Sequence, residues 1–240
     1  MTATKIIEAI AKHASDNDAI FLQRFFKTGP GQYGEGDLFI GVRVPQTRKI
    51  CKEFKNLSVN ELEKLLASPV HEHRLAATII MSGQYKKADP TLKQQLFDLY
   101  LSALDQNQIN NWDIVDTSCE HIVGAYAKEH GAQILFELAR SDKLWHKRVA
   151  IISCFAWVRK KQVGPTIELA EILWPEKHDL LQKAVGWMLR EVGKYVDESL
   201  LIDFLDRHAH EMPRTCLRYS LEKLSPEQKR HYMKQDKTQA

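Results

Sequence analysis

The stretch Asn110-Asn111-Trp112-Asp113-Ile114-Val115-Asp116 reads as the opening turns of a helix. Asn110 or Asn111 is the expected N-cap, because a short amide side chain can accept one of the backbone N–H groups that a first turn leaves unpaired. Helical spacing sets Trp112 and Asp116 one turn apart on one face. A ring beside a carboxylate can hold a cation, the ring through its negative π-face and the carboxylate by Coulomb attraction. Turned into a core instead, the same two residues would be ordinary packing and half of an ion pair.

The stretch has counterparts along the chain. Segments beginning at Arg74 (Arg-Leu-Ala-Ala-Thr-Ile), Asn111, Arg148 (Arg-Val-Ala-Ile-Ile-Ser), Lys183 (Lys-Ala-Val-Gly-Trp-Met) and Arg214 (Arg-Thr-Cys-Leu-Arg-Tyr) start 37, 37, 35 and 31 residues apart. That is the period of helical-hairpin solenoids of the HEAT or armadillo kind. From Val59 onward helix follows helix, broken at Ser68-Pro69, Asp89-Pro90, Gly131, Gly164-Pro165, Pro175, Pro213 and Ser225-Pro226. No stretch alternates with period two for long, so the fold expected is all-α. Counted from the first residue of each segment as zero, Arg148 takes position zero, Trp112 one, Trp187 four and Asp116 five. These positions occupy one side of a helix, and corresponding sides of stacked repeats line one surface. The spacing therefore predicts a polar-aromatic cleft built by Trp112, Asp116, Arg148 and Trp187.

Before the repeats, residues 4 to 14 and 16 to 27 carry apolar positions at three- and four-residue spacing, which predicts an amphipathic helix pair. Between Thr28 and Pro45 lie five of the chain's eleven glycines, Gly29, Gly31, Gly34, Gly36 and Gly41, with Pro30 and Pro45. A loop this long usually has a task. It is no phosphate-binding P-loop, since no Gly-Lys-Ser/Thr closes it and no strand precedes it. Arg43, Arg48, Lys49 and Lys52 follow its exit, either as a solvated face or as a patch that meets phosphates.

The bulk numbers exclude several classes. With 240 residues, 44% hydrophobic and 27% charged, the chain can bury a real core and is not disordered. A net charge of +3 is too mild to announce a nucleic-acid protein by itself, but the charge is uneven: 14 Lys/Arg against 15 Asp/Glu up to Glu120, then 20 against 16. Cys51, Cys119, Cys154 and Cys216 are widely spaced and no apolar signal segment opens the chain, which points to reduced thiols inside a cell. Charged residues interrupt every apolar run well short of a membrane span. His71-Glu72-His73 sends its two imidazoles to different sides of a helix, so no zinc site is expected. His178-Asp179 reads as a capping or loop pair.

Asn111-Trp112-Asp113-Ile114-Val115-Asp116, Leu144-Trp145-His146-Lys147-Arg148-Val149-Ala150 and Lys183-Ala184-Val185-Gly186-Trp187-Met188-Leu189-Arg190-Glu191 together resemble the AlkD family of DNA alkylation-repair glycosylases. The likeness covers nearly the whole chain, including Gly41-Val42-Arg43-Val44-Pro45 and Arg48. The resemblance implies one domain over residues 1–235, followed by a disordered tail at 236–240. It implies a C-shaped superhelical stack of HEAT-like repeats gripping duplex DNA along a basic concave face. The implied activity is excision of cationic N3- and N7-alkylated purines, 3-methyladenine and 7-methylguanine, in base excision repair. The family's catalytic Asp falls on Asp116, its cleft Trp residues on Trp112 and Trp187, and its cleft Arg on Arg148; the phosphate contacts expected are Arg43, Arg48, Arg190, Arg214 and Arg218. The lesion is then trapped by its backbone and sugar rather than flipped into a pocket. No cofactor, metal or histidine is needed, and the protein implied is a cytoplasmic, nucleoid-associated monomer. The Gly29–Gly36 loop is longer than in the best-known members, and Arg43 and Val44 stand where those have small polar residues. Two rivals share the fold: a DNA-binding relative without activity, and a HEAT-like protein scaffold with no use for a basic stripe.

Overall fold

A computed structural model describes residues 1–234, so the tail expected at 236–240 lies outside the described residues. The described residues are helical throughout, and their sole β-type pairing is an isolated parallel bridge between Leu38 and Val70. No helix among them is long and apolar enough to cross a membrane. The backbone contacts divide the chain into two compact units, Met1–Ile122 and Val123 onward.

The first unit holds α1 (Ala3–Ala11), α2 (Asp16–Phe25), α3 (Val44–Glu53), α4 (Val59–Leu66), α5 (His71–Tyr85), α6 (Pro90–Asp105) and α7 (Trp112–Ser118). Their starts are written in the sequence: Ser15 caps α2 by accepting from Asp18, and Asp89 caps α6 by accepting from Leu92, with Pro90 in the first turn, where its missing N–H costs nothing. Helix α5 is buried nearly all round, from His71 to Thr78 without a break, because α3, α4, α6 and α7 pack about it. A helix enclosed in this way carries little amphipathic signal.

The second unit holds α8 (Val123–His130), α9 (Gln133–Ala139), α10 (Leu144–Ile152), α11 (Phe155–Val158), α12 (Thr166–Leu173), α13 (Asp179–Tyr195), α14 (Glu198–His208), α15 (Arg214–Ser220) and α16 (Pro226–Lys234). Leu181, Ala184, Val185, Met188, Leu189 and Val192 form the buried stripe of α13, at the spacing of one helix face. Helix α15 packs closely on α13 at Gly186, where a Cβ would overlap the Cys216 carbonyl and lie 2.6 Å from Tyr219 Cβ. Paired helices recur as α9 with α10, α12 with α13 and α13 with α14, which is the hairpin arrangement the period predicted. His178 caps α13, accepting from Leu180 at 3.2 Å, as its sequence context suggested.

Two expectations shift. The segments aligned on their basic residues do not start together: Trp112 and Asp116 are the first and fifth residues of α7, Arg148 the fifth of α10 and Trp187 the ninth of α13. Asn111 is the N-cap of α7, whereas Arg148 and Lys183 are the fifth residues of α10 and α13, so the aligned segments are out of step by five residues, more than one turn. The opening helix pair also differs from an amphipathic pair seated on a core. Helix α1 buries Ala3, Ile6 and Ile10, but α2 buries none of its residues, and Ile20, Phe21 and Phe25 are 61%, 51% and 53% exposed.

Candidate active site

Phe21 and Phe25 of helix α2 are exposed because they face a cavity. This hollow of 670 Å³ in the first unit is walled by α2, the start of α3, α5 and α7, with Phe21, Phe25, Phe26, Phe39, Trp112 and Asp116 among its lining residues. Asn111 is the N-cap of α7, accepting from the Trp112 N–H at 2.9 Å, so the helix starts where the sequence placed it. Trp112 and Asp116, both half-buried, then come to the same cavity wall. Trp112 stacks on Phe26 (ring centres 5.2 Å, planes 25° apart) and meets Phe25 edge-on at 6.0 Å. Phe26 in turn stacks on Phe39 at 5.0 Å. Arg43 lies over the Phe21 ring at 5.1 Å while paired with Asp18 at 2.5 Å.

The glycine-rich loop forms the back of this wall. One carboxylate, Glu72 of α5, accepts the backbone N–H groups of Ile40, Gly41 and Val42 at 3.1, 2.9 and 3.1 Å. Gly41 sits at φ 84°, and a Cβ there would overlap the Ser15 carbonyl, so only glycine lets the loop pass under α2. Behind the rings is a buried charged network. His71 reaches Asp37 through Nδ1 at 3.1 Å and Asp113 through Nε2 at 2.9 Å. Arg74 donates to Asp37 at 2.6 Å and to Asn110 at 3.2 Å, and Asn110 donates to Asp37 at 2.8 Å. Burial alone would strip the proton from His71, but the Asp113 and Asp37 carboxylates outweigh it and hold the group at about 9. Burial would likewise raise Asp37, yet His71, Arg74 and Asn110 keep its carboxyl below the ordinary range. His73, two residues on, is pushed down to about 4 by burial and by Arg74. The two imidazoles of His71-Glu72-His73 thus face opposite environments, and no cluster of metal-ligating side chains occurs among the described residues.

The second unit carries the other two residues of the predicted cleft. Arg148 is buried on α10 and donates to the Leu180 carbonyl in the first turn of α13. Trp187, half-buried on α13, meets the Phe155 ring edge-on at 5.0 Å. These two residues therefore stand on helices that pack together. Of the arginines expected to meet phosphates, Arg48, Arg214 and Arg218 are exposed, with Arg214 donating to the Met233 carbonyl at 3.1 Å. Arg190 is bound on both sides, to Glu191 at 2.6 Å and to Glu222.

Sequence reasoning missed the ring of Phe21, Phe25, Phe26 and Phe39 and the His71 network. A signal existed for the rings, since Ile20-Phe21 and Phe25-Phe26 load one short helix with more aromatic surface than an exposed element carries without cause. Asp37, one of two acidic residues in a glycine-rich loop, gave none. A larger hollow in the first unit, lined by Lys52, Lys55, Lys86 and Lys87 with Glu63 and Asp98, has no aromatic wall and none of the predicted site residues.

A family model described as DNA alkylation repair enzyme matches residues 6–224. A solved structure from Enterococcus faecalis, described as a predicted DNA alkylation repair enzyme, is similar at a TM-score of 0.68 and 15% identity, over 89% of this chain and 98% of that one. At that identity the likeness speaks for the all-α repeat fold alone. No curated protein sequence matches the chain.

Proposed function

Because the chain belongs to the DNA alkylation repair enzyme family, we propose that it is a DNA glycosylase that releases cationic N3- and N7-alkylated purines from duplex DNA. The observation that carries the reading is the placement of Trp112 and Asp116 together in the wall of a cavity built from aromatic rings. A purine alkylated at N3 or N7 already bears positive charge, so its glycosidic bond is weak and departure leaves oxocarbenium character on the deoxyribose. The base needs no proton. What remains for the protein is to stabilise positive charge on the sugar and to admit water.

Asp116 is suited to that task. A carboxylate about 4 Å from the sugar cation contributes on the order of 4 kcal/mol at an effective dielectric of 20, roughly a thousandfold in rate. Trp112 adds the attraction of its π-face and walls the sugar. In this reading Trp187 and Arg148 also meet the DNA, while Arg48, Arg214 and Arg218 grip backbone phosphates. Recognition is by charge rather than by the base edge. The wall's side-chain donors support this, since Arg43 is committed to Asp18, His71 to two carboxylates and Thr117 to the Asp113 carbonyl. A pocket that reads a flipped base supplies hydrogen bonds to its Watson–Crick edge, and these groups are not available for it.

Incubating N-methylated duplex DNA with the pure protein and identifying the released bases tests the reading. Release of 7-methylguanine and 3-methyladenine is expected. Tight binding of the duplex with no release would favour the DNA-binding relative instead.

A further inference from the structure

We propose that His71, clamped between Asp37 and Asp113, is a positioning residue that seats α7 and so sets where Trp112 and Asp116 stand in the cavity wall. The starting point is the weakness of α7 itself. Seven residues make barely two turns, too few to hold a helix direction without outside support. That support comes from α5 and converges on the first turn.

Asp113, the second residue of α7, points one carboxylate oxygen at His71 Nε2 (2.9 Å), and the other accepts from its neighbour Ile114 N–H (2.8 Å). Asp113 thus couples the ring to the backbone of the turn that carries Trp112. On the other side of His71, Asp37 accepts from Nδ1, and its second oxygen holds Asn110 and Arg74, so the residue preceding the N-cap is tied to the same ring. His71 touches the site a second time through its face. It stacks on Phe39 at 4.3 Å and lies 5.2 Å from Phe26, the ring on which Trp112 rests. One imidazole, 1% exposed, is therefore linked to Trp112 both through a carboxylate and through an aromatic stack.

The geometry demands a doubly protonated ring. Two carboxylate oxygens face its two nitrogens, and only an imidazolium donates to both. The charges around it balance: Asp37 and Asp113 against His71 and Arg74, with Glu72 committed to the loop N–H groups and His73 turned to Ser68. Loss of one proton leaves a neutral imidazole with a single N–H, so one carboxylate then faces a lone pair and its bond to the ring is lost. If Asp113 is the one released, α7 loses its tether; if Asp37, the loop and Asn110 do. Either way the support beneath Trp112 and Asp116 loosens, and the alkaline loss of the proton becomes a reporter of the clamp.

The test uses protein carrying 5-fluorotryptophan, with the Trp112 resonance assigned from Trp112→Phe, titrated without DNA. The wild-type Trp112 signal should move with a midpoint near 9. His71→Gln should show no such transition, and Asp37→Asn, which keeps the imidazole but removes one carboxylate, should move the midpoint to lower pH. Thermal melting of each variant near neutral pH establishes that it is folded before titration. In parallel, initial rates of 7-methylguanine release should fall with the same midpoint in the wild type and be lower and flat across that range in His71→Gln. This arm alone rests on the glycosylase reading. Absence of release by the wild type would count against that reading and leave the resonance to decide the clamp. A Trp112 signal that does not titrate, or that titrates identically in His71→Gln, overturns the proposal, as does an unshifted midpoint in Asp37→Asn.

Discussion

Trp112 rests on Phe26 with ring centres 5.2 Å apart and planes 25° from parallel. One face of the indole is therefore occupied by the protein, and the ring is held as a fixed wall rather than a mobile flap. Phe26 is buried, whereas Phe25, which meets Trp112 by its edge, is half exposed at the cavity rim. The two should separate stability from activity. Phe26→Ala is expected to cost about 3 to 5 kcal/mol and to disturb Trp112, as truncation of a buried aromatic does. Phe25→Ala should change stability by no more than about 1 kcal/mol yet slow excision several-fold. Melting curves and initial rates on the two variants check this, and equal loss of stability in both would show that α2 is an ordinary structural helix.

The buried imidazolium also makes stability depend on pH in a definite direction. His71 in the folded chain is held at about 9, above the unfolded value near 6.5. Its stabilising contribution is fully present below about pH 6.5 and is lost progressively as pH rises through 9, by on the order of 3 kcal/mol. Urea unfolding at several pH values reads it. His71→Gln should flatten the alkaline decline; a wild-type stability that holds constant between pH 6.5 and 9.5 would contradict the assignment.

Among the arginines, partners predict which ones matter to DNA. Arg190 is bound by Glu191 and Glu222, so a phosphate must compete with two carboxylates for it. Arg218 is exposed in the last turn of α15. Each true phosphate contact contributes about 0.9 to the slope of log affinity against log salt. Arg218→Ala should flatten the slope by about one, and Arg190→Ala by clearly less. A wild-type slope near zero would point to a protein scaffold.

Gly41 predicts a backbone effect at the cavity. Its φ of 84° and its close approach to Ser15 leave no room for a side chain. Gly41→Ala should destabilise the first unit by more than 1 kcal/mol, since the strain of a left-handed residue adds to the overlap. It should also displace the Ile40–Val42 N–H groups from Glu72. Hydrogen exchange at those three amides would be accelerated, and unchanged protection would show that the loop tolerates a Cβ.

Much of this arrangement was legible before any coordinates. The helix at Trp112, its Asn111 cap, the His178 cap and the repeat period all rest on local rules of spacing and capping, which tertiary packing here leaves intact. The register of the repeats was not legible, because a basic residue does not mark a helix start: α10 and α13 begin four residues before Arg148 and Lys183, at Leu144 and Asp179, whereas α7 begins just after Asn111. What stayed hidden depends on distant pairing. Asp37 and His71 are 34 residues apart and His71 and Asp113 are 42 apart, and nothing local announces that a loop aspartate and a helix aspartate meet one imidazole. Likewise Phe21 and Phe25 sit at the spacing of a core stripe, and only the fold shows that the stripe looks onto a cavity.

In the proposed reaction Asp116 stabilises positive charge on the sugar of a base that leaves unaided. Single-turnover release of 7-methylguanine and of hypoxanthine by the wild type and by Asp116→Asn tests it most directly, with duplex binding measured alongside. The wild type should release 7-methylguanine and leave hypoxanthine nearly untouched. Asp116→Asn should bind the duplex as before and lose on the order of a hundredfold or more in rate, because a neutral amide cannot supply the Coulomb term. Excision by Asp116→Asn at the wild-type rate, or comparable release of hypoxanthine and 7-methylguanine by the wild type, would contradict the claim.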